Sequence, residues 1–151
     1  MGKRKVIQKK KILLIIIALM AFFLICLVGT KIGIQYYRDQ HVRLLNLKGE
    51  EEKTIGETFK QSIPLDYFQD LSANEIFGFC CVKIFGDWAT GEYTWIDKNT
   101  SNSTVGESAI AIFRKIDEKW ESSLKSTQTY KKWLDEVPKE LVPEDLKIFL
   151  R

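Results

Sequence analysis

Residues 76 to 96 read IFGFCCVKIFGDWATGEYTWI, and this stretch decides the fold. The run from Ile76 to Phe85 is apolar at successive positions, so a strand built from it has two buried faces and belongs in the middle of a sheet. Gly86-Asp87 follows, a dipeptide suited to a tight hairpin. The return run sets Ala89, Gly91, Tyr93 and Trp95 on one face and Thr90, Glu92 and Thr94 on the other. That alternation marks a strand with one solvated side.

Downstream, the polar segment DKNTSNSTVGE (97–107) is a loop by composition. It carries two glycosylation sequons, at Asn99 and Asn102, which matter only in a eukaryotic host. AIAIFRK (109–115) predicts a third strand and WESSL (120–124) a fourth, with a turn at Asp117-Glu118. Trp120, Ser122 and Leu124 share a face, and Trp120 is expected to be a buried anchor that bridges the sheet to the following helix. That helix spans Thr127 to Glu136, with Tyr130, Trp133, Leu134 and Val137 at helical spacing. Pro138 stops it, and Pro143 opens a last short helix through Leu150.

Upstream, Thr54 and Glu57 have the spacing of a capping box, predicting a helix from Ile55 to Gln61 that Pro64 ends. Pro64 to Leu71 is expected to turn and lay its aromatics on the sheet. The expectation is an α+β domain: a four-stranded antiparallel sheet in sequential order with flanking helices, for which cystatin-like or NTF2-like folds are the analogy. Fold analogy alone licenses no function.

Before this domain lies ILLIIIALMAFFLICLVGT (12–30), nineteen residues without a charge. As a helix it is about as long as a bilayer core is thick, roughly 30 Å. The apolar run exceeds what a cleaved signal peptide uses, and no A-x-A precedes a cut. The reading is therefore an uncleaved signal anchor. Lys3, Arg4, Lys5, Lys9, Lys10 and Lys11 precede it, +6 within eleven residues, and subtracting them leaves 17 basic against 20 acidic residues. Six cations beside a span act as a positive-inside signal and contact anionic headgroups. Membrane lipid, and not nucleic acid, is the expected partner of this tail. The chain divides into a basic, unstructured cytoplasmic tail (1–11), a transmembrane helix (12–30), a juxtamembrane stalk (31–53) and an extracytoplasmic domain (54–151).

Chemistry-bearing residues are sparse. His41 is the one histidine and falls in the stalk, far in sequence from Cys80 and Cys81, so a histidine triad or a Cys/His zinc site lacks its parts. Cys26 lies in the span. In an extended chain Cys80 and Cys81 would point to opposite faces, with Cα atoms about 3.8 Å apart, and the expected role is apolar filler, not a bond. Asp87, Glu92 and Asp97 could pair for acid and base work, but the turn, the solvated face and the strand end place them on the surface. No phosphate-cradling loop, zincin or nucleophile-elbow motif occurs. Catalytic, cofactor and metal residues are thus assigned to none, and no cofactor is expected. Trp88, Trp95, Trp120 and Trp133 are read as core in preference to a ligand groove.

GDWATGEY (86–93), AIFRKIDEKWE (111–121) and the later Pro138-Lys-Glu-Leu together resemble small extracytoplasmic domains of bacterial secreted and membrane-anchored proteins. The similarity covers Ile84 to Leu141 and implies a compact α+β domain outside the cytoplasm, with no defined reaction. The functional expectation is a single-pass, non-enzymatic interaction or accessory module that binds another envelope or membrane protein. A small carboxylate-dependent hydrolase or isomerase, or a homo-oligomeric structural membrane subunit, are the alternatives.

Overall fold

A computed structural model describes residues 2–106, 108–125, 127–142 and 150, with side chains from residue 15 onward. The last helix expected after Pro143 lies outside the described residues. Two units result, residues 1–37 and 38–151.

The first unit lies in helix α1, Gly2–His41. Between Ile15 and Ile34 its large apolar side chains are 38 to 70% exposed. Residues Ile15–His41 are long and apolar enough to cross a membrane. The basic tail, expected to be unstructured, is helical from Gly2, since lysine is a good helix former and the apolar segment extends the helix on its far side.

The second unit holds a mixed five-stranded sheet, curled as a half-barrel. Its strands are β1 Val42–Leu44, β2 Glu75–Phe85, β3 Trp88–Asp97, β4 Ala109–Ile116 and β5 Lys119–Ser123, in that spatial order. The four antiparallel strands expected are all present, as β2 to β5, but the sheet has a fifth. β1 runs parallel to β2, pairing Val42 to Leu44 with Phe77 to Phe79. It comes from the segment read as stalk. Three residues are too few to display an alternation, and a parallel partner gives no hairpin signal.

Helix α2, Glu50–Ser62, starts earlier than Thr54 suggested. The Glu52 carboxylate accepts from the backbone N–H groups of Lys48 (2.8 Å) and Gly49 (3.4 Å). Glu50, Glu51 and Glu52 thus occupy a first turn, where the helix dipole favours negative charge, so a cluster that looks like a breaker is a start signal. Thr54 sits inside the helix and donates to the Glu50 carbonyl (2.9 Å). A 3-10 turn, Leu65–Asp70, follows, and Phe68 from it meets Phe77 edge-on at 5.5 Å. Helix α3, Gln128–Glu136, begins where its sequence says, with the Thr127 hydroxyl accepting from the Tyr130 N–H (3.1 Å).

The alternation of the strands feeds two cores, one on each face. Phe77, Phe79, Ala89, Ala111, Phe113, Trp120 and Leu124 pack with Ile55 and Phe59 of α2 and with Ile63 just past its end. Ile112 packs with Tyr130, Trp133, Leu134, Val137, Leu141 and Val142 on the other face. Trp120 is buried, 8% exposed, as expected. It lies in the α2 core, however, and not against the helix carrying Tyr130 and Trp133.

Candidate functional site

On the α2 face, the alternation of β3 turns Tyr93 and Trp95 toward the curl of the sheet. Tyr93 pairs with Ala109, whose methyl group fills little of the space a larger residue would take. β4 begins there, so Trp95 has no partner from that strand. Two adjoining hollows result, sharing Tyr93 and Trp95. One, of about 240 Å³, is also lined by Thr94, Val105 and Ala109. The other, of about 210 Å³, is also lined by Tyr67, Asp70 and Phe77. Phe77 meets Trp95 edge-on at 6.5 Å, and Phe59 of α2 backs Tyr93 at 5.3 Å. The rings are therefore held in place from behind.

Burial pushes the Tyr93 phenol above its ordinary range, against a backbone hydrogen bond from Lys125, with the neighbouring Tyr67 adding to the rise. Tyr93 stays a neutral hydroxyl at physiological pH. Asp70, exposed at the rim, is the carboxylate among the lining residues. The chemistry on offer is aromatic stacking with a few hydroxyl contacts, which suits an apolar or planar group bearing some polar edge.

The carboxylates singled out in the sequence are not brought together. Asp87 and Asp97 fall at opposite ends of β3, about 30 Å apart by strand geometry. Glu92 is on the other face, paired with Cys80. Asp97 holds the loop that follows it, because its Oδ1 accepts from the N–H groups of Asn99 (2.9 Å) and Thr100 (2.8 Å) and from the Thr100 hydroxyl (3.1 Å). These bonds keep its carboxyl below the usual range. Arg43 of β1 ties down the same loop through Ser101 Oγ (2.6 Å) and the Lys98 carbonyl (2.9 Å). His41 meets Phe68 edge-on at 5.9 Å. Among the described residues, no three of His, Cys, Asp and Glu gather as a metal site would require.

The tryptophans divide. Trp120 and Trp133 are core, and Trp88 is half-buried beneath the Arg114 guanidinium (4.8 Å) and against Trp133 (6.1 Å). Trp95 is half-buried against the α2 core, in keeping with the core reading, and also lines both hollows, which that reading did not include. The signal for it was present: it shares a face with Gly91 and lies beyond the small Ala109. The side chains of Lys3, Arg4, Lys5, Lys9, Lys10 and Lys11 lie outside the described residues.

Cys80 and Cys81 also depart from expectation. The β2–β3 register slips between Cys80 and Lys83, and Cys81 takes φ +60°. The chain is not extended at this step, and the two sulfurs lie 2.7 Å apart, with Cys81 exposed and Cys80 half-buried. Neither is apolar filler.

In comparisons with family models, curated proteins and solved structures, nothing matches this chain.

Proposed function

We propose that this protein is a single-pass membrane protein that displays a small α+β recognition domain outside the cytoplasm. The domain acts as a non-enzymatic interaction or accessory module for another envelope or membrane protein. The observation that carries this reading is the pairing of an N-terminal helix whose large apolar side chains are exposed from Ile15 to Ile34 with a folded unit whose hollows are aromatic. Aromatic side chains dominate recognition surfaces because they bring large contact area at low entropic cost. The curl of the sheet is in keeping with the cystatin-like or NTF2-like analogy.

The orientation follows from charge. Six cations precede the apolar segment, against Lys31, Arg38 and Arg43, offset by Asp39, after it. The tail then stays cytoplasmic, contacts lipid headgroups, and has no nucleic-acid role.

Photo-crosslinking in intact cells tests the recognition reading. A photoreactive residue at position 95 should give a discrete protein adduct, and one at exposed Lys131, on the outer side of α3, should not. Identical patterns from the two positions, or no protein adduct from position 95, would overturn it. Added protease should remove the domain from intact cells, and full protection would reverse the orientation.

A further inference from the structure

The two thiols of β2 stand on a different part of the sheet from the hollows. In a regular strand adjacent side chains point to opposite faces. Here the bulge between Cys80 and Lys83, with Cys81 in the left-handed region, brings neighbouring sulfurs to 2.7 Å. A bulky L-residue adopts that backbone only at a cost. β1 accompanies β2 only as far as Phe79, whose carbonyl accepts from the Leu45 N–H (2.8 Å). Among the described residues, no strand lies along the outer edge beside the cysteines, and Cys81 is exposed there.

We propose that Cys80 and Cys81 form a thiol–disulfide exchange site, closing reversibly to an intramolecular bond on reaction with a small-molecule disulfide. Cys81 is the sulfur an incoming disulfide meets. Its thiol gives a proton to solvent, and the thiolate attacks one sulfur of the oxidant, releasing the first thiolate and leaving a mixed disulfide on Cys81. Cys80 Sγ then gives up its proton and attacks Cys81 Sγ, displacing the second thiolate. Both leaving groups take up protons. Two protein thiols are oxidised and one disulfide is reduced to two thiols, so no other electron acceptor is needed.

The order of the two steps agrees with their surroundings. Burial pushes the Cys80 thiol up to about 12, and its hydrogen bond to Cys81 and the nearby Cys81 and Glu92 act in the same direction. Cys80 keeps its proton until an electrophilic sulfur stands beside it. Adjacent Cα atoms are about 3.8 Å apart, below the usual disulfide span of about 4.4 to 6.8 Å, so the closed form is readily reduced. Reversibility follows from that geometry. The inference does not depend on the recognition role of the hollows.

The test uses the full chain in detergent, treated with oxidised glutathione, quenched, alkylated and digested with trypsin. The peptide Gln61 to Lys83 lies between two cleavage sites and holds Cys80 and Cys81 without Cys26. It should lose both alkylation sites and the mass of two hydrogens, and regain both when reduced glutathione is added. Cys80→Ser should instead keep glutathione on Cys81. The urea-unfolded chain, lacking the bulge, should close more slowly than the folded one. A persistent glutathione adduct on the unmutated chain, a bond between two chains, retention of both alkylation sites, or equal closure in urea would each overturn the proposal. If Cys80→Ser fails to fold, closure and reopening of the unmutated chain still decide it.

Discussion

The ring of Phe79 occupies the space that a side chain at position 91 would fill. Gly91 on β3 is what lets that ring lie flat against the sheet, stacked on Phe59 (4.4 Å) and edge-on to Phe113 (5.9 Å), so that α2, β2 and β4 meet around it. Gly91→Ala should overpack this point and cost about 1 to 3 kcal/mol. Calorimetry of the domain should show the loss as a fall in Tm of about 4 to 8 °C per kcal/mol. An unchanged Tm would mean that Phe79 has room to move.

Trp120, 8% exposed within the same core, should matter more. Trp120→Ala removes a large buried side chain and should destabilise the domain by about 3 to 5 kcal/mol. Urea titration of the variant beside the parent gives the number, and a change below about 1 kcal/mol would place the ring outside the core.

The turn between β4 and β5 offers a gain. Asp117 (φ 48°) and Glu118 (φ 62°) both take left-handed backbone, as a type I′ hairpin requires, yet neither is glycine. Glu118 is 93% exposed and its approach to Lys115 is a loose 3.8 Å, so little is lost with the carboxylate. Glu118→Gly should raise stability by about 0.5 to 1 kcal/mol, read as a higher denaturation midpoint.

Lys60 is buried, with its ammonium 2.9 Å from Asp39 and 3.0 Å from Glu57. Burial works against the charge, but hydrogen bonds and attraction from the two carboxylates outweigh it and hold the lysine above its usual range. A raised lysine contributes stability that is fully present below its unfolded value, about 10.4, and lost as pH climbs through the folded one. Asp39→Asn with Glu57→Gln strands the ammonium and should cost about 1 to 3 kcal/mol, whereas Lys60→Met removes the charge with the site and should cost less. Melts of both variants at neutral pH decide the order.

A chain beginning at Arg38 should fold alone, and one beginning at Glu50 should be the less stable of the two. The shorter chain lacks β1, the Asp39–Lys60 pair and the bond from the Arg38 guanidinium to the Ile63 carbonyl (3.1 Å). Circular dichroism melts of the two should differ by several degrees, and equal melting would make β1 dispensable.

These contacts also show where the sequence is legible. Gly86-Asp87, the alternation of Ala89 to Trp95 and the Thr127 cap are local signals, and β2 to β5 and α3 follow from them. β1 is not local: its order comes from a parallel partner more than thirty residues away. Glu50 to Glu52 interrupt the apolar pattern along the sequence, while in three dimensions they sit on a helix N-terminus. The hollows draw on the 3-10 turn, three strands and a loop, so neither has a motif. The cysteine geometry depends on a one-step register slip, which no composition or period reveals.

The parallel seam between β1 and β2 sets an order of events in time. β2 to β5 form an up-and-down meander whose turns join near neighbours, the kind of pairing that forms fast because little chain must be closed. β1 is made first and must wait for Phe77 to Phe79, and Arg43 must wait longer still, for the Lys98 and Ser101 it holds 55 and 58 residues on. The segment next to the apolar helix is thus the first of the domain to be synthesised and, from the length of chain its contacts must close, is expected to be the last to find its place. Until it does, the first half of β2 remains an open edge, and that interval is when the nascent domain is most exposed to pairing with another chain.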